Sequence, residues 1–596
     1  MDSKQIIDVI KEALDDHKDF RRTKTLVNTV YNILCAIYLE DKKHIILEAP
    51  TGTGKTVIAY MVNFCMQKIE ENKFKEETSF KSYLLTSSKI LQDQIEADKE
   101  KFNFNDNTLA ILKGTSNYAC LPIKPESYKN RYCKGMSADA ISLLSCYQNC
   151  PYLVARSKAV SAQIAVMNYA YYLTTIQNSY GNFTGRRLTI SDECHLLPTI
   201  VNDLFNFDLN GYRICLSKII DLLNGFKMSF GNSQSANELI QICNNHLKLF
   251  LRSKITFDDF KTFIYDFIEV SKKYNEFLSK LKEYCNSNNI LNHLNLFKKD
   301  MDYIYDSFEK LINVDFIDNY IKSLLERPED ILVESIKQDK SEFYNHIVRD
   351  LDETNAVRRY FIKHVDIGIY MSATIGNVDD YAVMLGLVED EYKAYRLASD
   401  FDFSKSPIYL VNSGYLDYRN FQDNIDNVIV DTLKICKLHS NEKGIIHTAT
   451  FDITERLRNR LSLVKDKEFV ERFLFYSTPE EKNIAVEKIK SDDGKNYIIV
   501  GPSLYEGLSL EDGNGRFNIL IKVPYSSLTN YLRKKIERYP NWYINNTKEK
   551  IIQAIGRTNR HKDDWSKTYL MDSCFKKFMY NNINNNIILE RIQNFK

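Results

Sequence analysis

Proline and glycine are scarce in this chain, 11 and 20 of its 596 residues. No stretch is rich in proline, glycine or serine, so no long flexible linker is expected. No run of 18 apolar residues occurs, which excludes a helical membrane span. A surplus of either charge is missing too. Lys and Arg number 80 against 79 Asp and Glu, a formal net charge of +1. Any surface that grips nucleic acid must therefore be local and balanced elsewhere. The N-terminal MDSKQIIDVIKEALDD patterns as an acidic amphipathic helix, without the layout of a signal peptide. A cytoplasmic location is expected, where cysteines are thiols or metal ligands.

At about 150 residues per domain, the length suggests three or four domains. Apolar runs rich in Val, Ile and Tyr alternate with helical stretches: 44–49, 82–87, 164–169, 188–193, 367–374, 444–450, 497–503 and 517–523. That alternation predicts an α/β fold with parallel sheets and crossover helices. Two segments interrupt it. The first, about 113–152, holds four cysteines. The second, about 205–350, carries Phe257, Phe260, Phe263, Ile264, Phe267 and Ile268 at helical spacing, continued by Tyr274, Phe277 and Leu278. It reads as an all-helical insertion with this stripe in its core.

EAPTGTGKT (48–56) follows a predicted strand and precedes a predicted helix. Gly52 and Gly54 let backbone N–H groups curl round a polyphosphate, and the helix N-terminus adds a favourable dipole. Ala49, Pro50, Thr51, Gly52, Thr53, Gly54, Lys55 and Thr56 thus form a candidate ATP-binding loop. Lys55 would meet the β/γ-phosphates, and the Thr56 hydroxyl would meet Mg²⁺. LTISDECH places Asp192 and Glu193 at a strand end. Asp192 suits Mg²⁺, and Glu193 suits polarisation of the attacking water. QAIGRTNR sets Gln553, Gly556, Arg557 and Arg560 on one helical face, and two guanidiniums there could neutralise a transferring phosphoryl group. They lie some 500 residues beyond Lys55, so a shared ATP would sit between two domains.

The cysteines run Cys120-x12-Cys133-x12-Cys146-x3-Cys150. Zinc knuckles usually pair ligands two to four residues apart, and only the last two meet that. Spacing alone leaves an iron–sulfur cluster, zinc and unligated thiols open. Basic and aromatic residues lie between and beside these cysteines, a mixture suited to single-stranded nucleic acid. The other cysteines are scattered and read as small buried hydrophobes.

Taken together, APTGTGKT, DECH, YMSATI (370–375), GPSLYEGLSLEDG (501–513) and QAIGRTNR resemble a superfamily 2 helicase. TSSKILQDQ (86–94), KGTSNYAC (113–120), CPYLVARSKAVSAQIAVMNYAYYL (150–173) and NILIKVPY (518–525) resemble its iron–sulfur branch, typified by XPD and DinG. The likeness is to DinG-like members; compact length and composition suggest a phage-encoded one, hence the host cytoplasm. The resemblance implies two RecA-like motor domains, one over 1–112, 153–204 and 351–398 and the other over 399–596. It also implies a [4Fe–4S] domain over 113–152, held by Cys120, Cys133, Cys146 and Cys150, and a helical Arch domain over 205–350. The implied activity is ATP-driven 5′→3′ translocation on single-stranded DNA with unwinding of forked or tailed duplexes, by a monomer. A remodeller that uses ATP to displace DNA-bound protein or RNA is the other reading. Ser372 and Thr374 would couple hydrolysis to movement. Glu506, Gly507 and Asp512 match a nucleotide motif, and Thr86, Gln92 and Thr448 match motifs on the DNA backbone. The box departs from the family with Cys194 in place of Ala. Thr115 stands where a basic residue often precedes the first cluster cysteine, which leaves Lys113 as a candidate DNA contact.

Overall fold

The computed structural model describes the whole chain except residues 51, 75–79, 124–132, 134–137, 178–182, 184, 232, 289, 313, 339–340, 399–402, 503, 505–509, 511, 559–563, 584–585 and 596. It divides into two compact units. One comprises Met1–Lys113, Ser157–Leu197 and Ile362–Lys596; the other comprises Gly114–Arg156 and Pro198–Phe361.

Along the chain come β1 (His44–Glu48), β2 (Ser82–Thr86), β3 (Leu109–Ile111), β4 (Ile164–Asn168) and β5 (Leu188–Asp192). β6 (Phe207–Asp208), β7 (Ile331–Lys337) and β8 (Tyr344–Asp350) belong to the second unit. β9 (Ile367–Ser372) and β10 (Tyr392–Arg396) return to the first, followed by β11 (Ile408–Gly414), β12 (Gly444–His447), β13 (Phe473–Phe475), β14 (Ile498–Gly501), β15 (Phe517–Leu520), β16 (Lys567–Asp572) and β17 (Ile592–Asn594). Among the described residues, the first unit holds two seven-stranded sheets, ordered β10-β1-β9-β5-β2-β4-β3 and β13-β14-β12-β15-β16-β11-β17. Adjacent strands in both are parallel.

Both sheets are covered on two faces, so their central strands are apolar without alternation; all six residues of β9 are buried. On the first sheet pack the helices Ser3–Asp16, Lys24–Tyr38 and Lys55–Phe74. The first is set by a capping box between Asp2 and Gln5. Each sheet also holds a buried arginine on loop carbonyls. Arg186 donates to the carbonyls of Ser82, Ala159, Val160, Ala162 and Gln163. Arg472 donates to those of Cys436, His439, Glu442 and Asn496. These bonds satisfy carbonyls at helix C-termini, a strand start and the adjoining loops, and they keep a buried cation solvated by protein.

The second unit is largely helical. Its core joins Asn210–Phe230, Gln234–Leu247 and Phe257–Ser287 through Phe226, Phe260, Phe263, Phe267 and Tyr274. The aromatic stripe is core, as its spacing predicts. The insertion is not all-helical, however. β7 and β8 form an antiparallel ladder from Ile331↔Asp350 to Lys337↔Tyr344, and β6 pairs with β8. ILVESIK and YNHIVRD mix polar and apolar residues, and the turn between them has neither glycine nor proline, so nothing local marks the hairpin. Arg327 fixes this sheet. It pairs with Asp330 at 3.2 Å, with Asp350 at 2.9 Å, and with Asp352.

Two buried histidines give the first unit a pH dependence. Burial pushes His44, hydrogen-bonded to the Tyr370 hydroxyl at 3.2 Å, down to about 4. Burial, aided by the Arg557 charge, pushes His447 down to about 3. An unfolded histidine takes a proton near pH ~6.5, so the unfolded chain binds more protons below that pH. The histidines' share of stability is therefore full above pH ~6.5 and falls as the pH drops towards 4, by about 1.4 kcal/mol per pH unit for each histidine. Burial raises Glu549 to about 8, which acts in the opposite sense over the same range, so the test is a difference. The gap in urea midpoint between the unaltered chain and His44→Asn should shift in favour of His44→Asn as the pH falls from 7.5 to 5. A gap that does not change with pH would contradict it.

Candidate nucleotide site

Register assembles the site. β9 lies between β1 and β5, with Glu48 level with Ser372 and Asp192 level with Met371. The glycine loop, the acidic pair and the SAT segment thus leave one edge of one sheet. In doubly wound sheets that carboxyl edge is where ligands bind. The loop is tied down at its start, where the Ala49 N–H donates to the Ser372 carbonyl at 2.8 Å. Gly52 and Gly54 both have φ near +80°, a region glycine enters without strain. The Thr53 hydroxyl donates to the Pro50 carbonyl at 2.7 Å, and Lys55 opens the following helix with Nζ 3.2 Å from the Ala49 carbonyl. Thr56 follows it. Thr51 lies outside the described residues.

At the end of β5, Asp192 has one carboxylate oxygen buried without a hydrogen-bond partner. Burial pushes its carboxyl up, helped by the Glu193 charge and opposed by Lys55. A buried carboxylate oxygen without a hydrogen-bond donor is a ligand suited to a cation. Thr56 and Asp192 could share that cation. Glu193 takes a left-handed backbone, φ 49° and ψ 43°, although it is not glycine. Such strain is held only where surrounding structure over-determines it. The Tyr169 hydroxyl donates to the Asp192 carbonyl at 2.8 Å and the Tyr381 hydroxyl to the Cys194 carbonyl at 2.6 Å. Neither tyrosine had a signal in the sequence, because both contacts arise from packing between distant segments. Cys194 is fully buried beneath Tyr381, and burial pushes its thiol well up. It serves there as a small apolar filler.

His195 connects the two sheets. Its Nδ1 stands 2.8 Å from the Ser372 hydroxyl and 3.4 Å from the Glu193 carboxylate. Its Nε2 lies 2.7 Å from the side-chain amide nitrogen of Gln553. The amide must donate, so Nε2 accepts and the ring proton sits on Nδ1. Burial pushes the imidazole down, opposed by the Glu193 charge and aided by those of Arg557 and Lys55, the same direction as the tautomer that the Gln553 amide requires. The Ser372 hydroxyl donates in turn to the Thr374 carbonyl at 3.2 Å. Gln553 belongs to the helix Trp542–Ile555, which the Asn518 side chain pins to β15 through the Ala554 carbonyl at 2.7 Å. That helix ends at Ile555 with Gly556 as its cap, so the single helical face expected of Gln553, Gly556 and Arg557 is not formed, and Arg557 lies two residues beyond the helix. Arg560, Glu506 and Gly507 lie outside the described residues. So does the side chain of Asp512, whose backbone opens a short 3₁₀ turn.

Thr86, Gln92 and Thr448 are fully buried. Gln92 donates to the Leu112 carbonyl at 3.1 Å, and Thr448 shares a hydrogen bond with Thr454 at 2.7 Å. Their side chains brace loops and are turned inward. Lys113 is clamped by Asp93 and Glu96, each at 2.7 Å, which neutralises the cation expected to serve beside the first cysteine.

Cys120, Cys133 and Cys150 are buried and Cys146 is partly buried, none of them in a disulfide. Tyr118 and Tyr152 meet edge to face at 5.7 Å, which sets the segments of Cys120 and Cys150 side by side. Among the described residues, no three Cys, His, Asp or Glu side chains are gathered closely enough to hold a metal ion.

Residues 432–589 match the helicase C-terminal domain family, and residues 3–220 match the family described as type III restriction enzyme, res subunit. No curated protein matches the sequence. Solved structures share the fold. Xpd4 of S. tokodaii is 13% identical with a TM-score of 0.56, over 96% of this chain and 100% of its own. A structure described as XPD helicase is 16% identical with a TM-score of 0.58, over the same shares. One described as XPD apo is 14% identical with a TM-score of 0.53, over 95% and 100%. The architecture is accordingly two RecA-like domains in the arrangement of the XPD helicases. No described helix is long and apolar enough to cross a membrane.

The bridge has a measurable worth. Gln553→Ala leaves the His195 Nε2 buried without a donor, which should cost about 1–3 kcal/mol in urea unfolding. No loss would mean that the contact is incidental.

Proposed function

We propose that this chain, a superfamily 2 nucleic-acid helicase with an ATP-dependent motor on the XPD-type fold, works on DNA, translocating 5′→3′ along one strand and unwinding forked or tailed duplexes. The observation that carries the reading is the His195–Gln553 hydrogen bond between the two sheets. It ties the acidic box of one motor domain to the helix that precedes Arg557 in the other, as a motor driven by ATP closure requires.

In this reading Lys55 and the loop N–H groups, from Ala49 to Thr56, bind the polyphosphate of ATP. Thr56 and Asp192 would hold Mg²⁺, whose charge neutralises the β/γ-phosphate oxygens. Glu193 accepts the proton of the attacking water as its oxygen joins the γ-phosphorus and the bond to ADP breaks. Arg557 and Arg560 balance the charge that develops on the γ-phosphoryl oxygens, and Glu506, Gly507 and Asp512 close the nucleotide from the second domain. Neutral His195 donates to Ser372 and accepts from Gln553, so movement of either domain alters the same ring. Loss of the γ-phosphate would remove the anion that holds the arginines in place. The domains then part, and repetition moves the strand.

The four thiols supply the donor set of a [4Fe–4S] cluster. The burial of Cys120, Cys133 and Cys150 and the Tyr118–Tyr152 contact support this reading, and these thiols would have to draw together with Cys146 to hold the cluster. When bound, the cluster would staple a segment otherwise poor in core.

Three outcomes test the reading. Lys55→Ala should lower DNA-stimulated ATP hydrolysis by at least ~10²-fold without changing the fold; normal turnover would reject the site. Strand displacement should proceed on 5′-tailed and forked duplexes and fail on 3′-tailed ones. Hydrolysis without displacement on any substrate would favour the remodeller. Anaerobically purified protein should contain about four irons per chain with broad visible absorption. One zinc without that absorption would overturn the cluster and leave the motor standing.

A further inference from the structure

One buried group near the nucleotide site takes no part in the motor chemistry. His447 ends β12 and is 5% exposed. Neither of its ring nitrogens has a hydrogen-bond partner among the described residues. A buried imidazole in that state costs stability, so a native fold keeps one where something else uses it. Register shows which way the ring faces. His447 lies level with Leu520 on β15 and with Gly501 on β14, and Ile445, two residues earlier, lies level with Asn518. Residues level with one another, or two apart along a strand, share a face of the sheet. Leu520 packs with Ile551, Ala554 and Ile555, so His447 and Asn518 look towards the last turns of the helix Trp542–Ile555.

The neighbours suit one ring nitrogen and leave the other. The Asn518 amide nitrogen is taken by the Ala554 carbonyl at 2.7 Å, which leaves the amide oxygen, itself without a partner among the described residues, as an acceptor beside the ring. It suits the nitrogen that carries the proton. A neutral imidazole then has one acceptor nitrogen over. Gly501 and Leu520 bring no polar side chain to it. Two cations act on the ring through their charge, Arg557 more than Lys482. Arg557 is the one on this face of the sheet. It stands two residues beyond the helix, and its carbonyl accepts from the Leu510 N–H at 3.3 Å. Its charge acts on His195 as well, so the guanidinium is within electrostatic range of a histidine from each motor domain.

We propose that His447 is a positioning residue for Arg557: its unprotonated ring nitrogen accepts from the guanidinium when the motor domains close on ATP, and so aims the arginine at the γ-phosphoryl group. Arginine presents five donors in a planar fork and no acceptor, so it can serve a ring nitrogen and phosphate oxygens together. The main chain of Arg557 is held at Leu510, but a long side chain swings about it. A buried acceptor fixes the direction of the fork before charge develops on the phosphoryl oxygens, which is where a preorganised cation acts. The inference rests on the role assigned to Arg557 above and adds the group that orients it.

The test compares ATP hydrolysis at saturating DNA by the unaltered chain, His447→Phe, Arg557→Ala and the double variant, with urea unfolding of each. His447→Phe keeps a ring and removes both nitrogens, so its urea midpoint should match or exceed that of the unaltered chain. Its kcat should nevertheless fall about tenfold or more with KM for ATP unchanged, a split that a purely structural role does not produce. The double variant should turn over no more slowly than Arg557→Ala alone, because the ring acts through that arginine. His447→Leu carries the same comparison should the phenylalanine variant not fold. A kcat within about twofold of the unaltered chain, or losses that multiply in the double variant, would overturn the inference and leave His447 a core residue. Unchanged turnover in Arg557→Ala would instead reject the role of the arginine, and this inference with it.

Discussion

The neutral imidazole of His195 joins two parallel sheets that share no strand. One ring nitrogen reaches Ser372 at 2.8 Å, and the other accepts from Gln553 at 2.7 Å. A charged ring could not accept from the amide, and a solvated ring would not need to. The arrangement works only because the site is dry enough to hold the histidine unprotonated. Much else serves that condition. β9 sits between β1 and β5 so that Ser372 comes level with the start of the glycine loop. Tyr169 and Tyr381 tie down the carbonyls of Asp192 and Cys194, which fixes the direction in which the box leaves its strand. The strained backbone of Glu193 is the local cost of aiming a carboxylate and an imidazole from one tight turn.

How much of this was legible in the sequence follows from how local each feature is. The glycine loop, the acidic pair and the QAIGRTNR motif are contiguous, and each requires particular residues at fixed offsets. They could be read directly, and so could the eight apolar strands that carry them. Strands with mixed composition could not. β10 (YKAYR), β11 and β17 are sheet members by pairing, not by pattern. The hairpin of β7 and β8 escaped for the same reason. Thr86, Gln92 and Thr448 show a further limit, because a motif identifies a loop without saying which of its atoms faces a ligand. Lys113 shows another: its cation is spent on Asp93 and Glu96, residues some twenty positions away.

The two units differ in what stabilises them. The motor sheets bury apolar strands on both faces and use buried arginines to satisfy loop carbonyls. The helical unit depends on an aromatic core, with a three-aspartate clasp on Arg327 at its small sheet. Removing that arginine would strand three carboxylates, two of them buried, so the clasp fixes geometry more than it adds net stability. The four cysteines sit in a segment with short helices and little apolar core of its own, where a bound cluster would contribute most to order.

The central claim is that residues from both motor sheets act on one ATP. The most direct measurement is the turnover of Arg557→Ala at saturating ATP and DNA, alongside nucleotide binding by the same variant. Arginines in this role contribute on the order of 10³-fold or more to turnover. The account predicts a fall of that order with nucleotide binding retained. Turnover equal to that of the unaltered chain would contradict it, and would leave the second sheet without a part in hydrolysis.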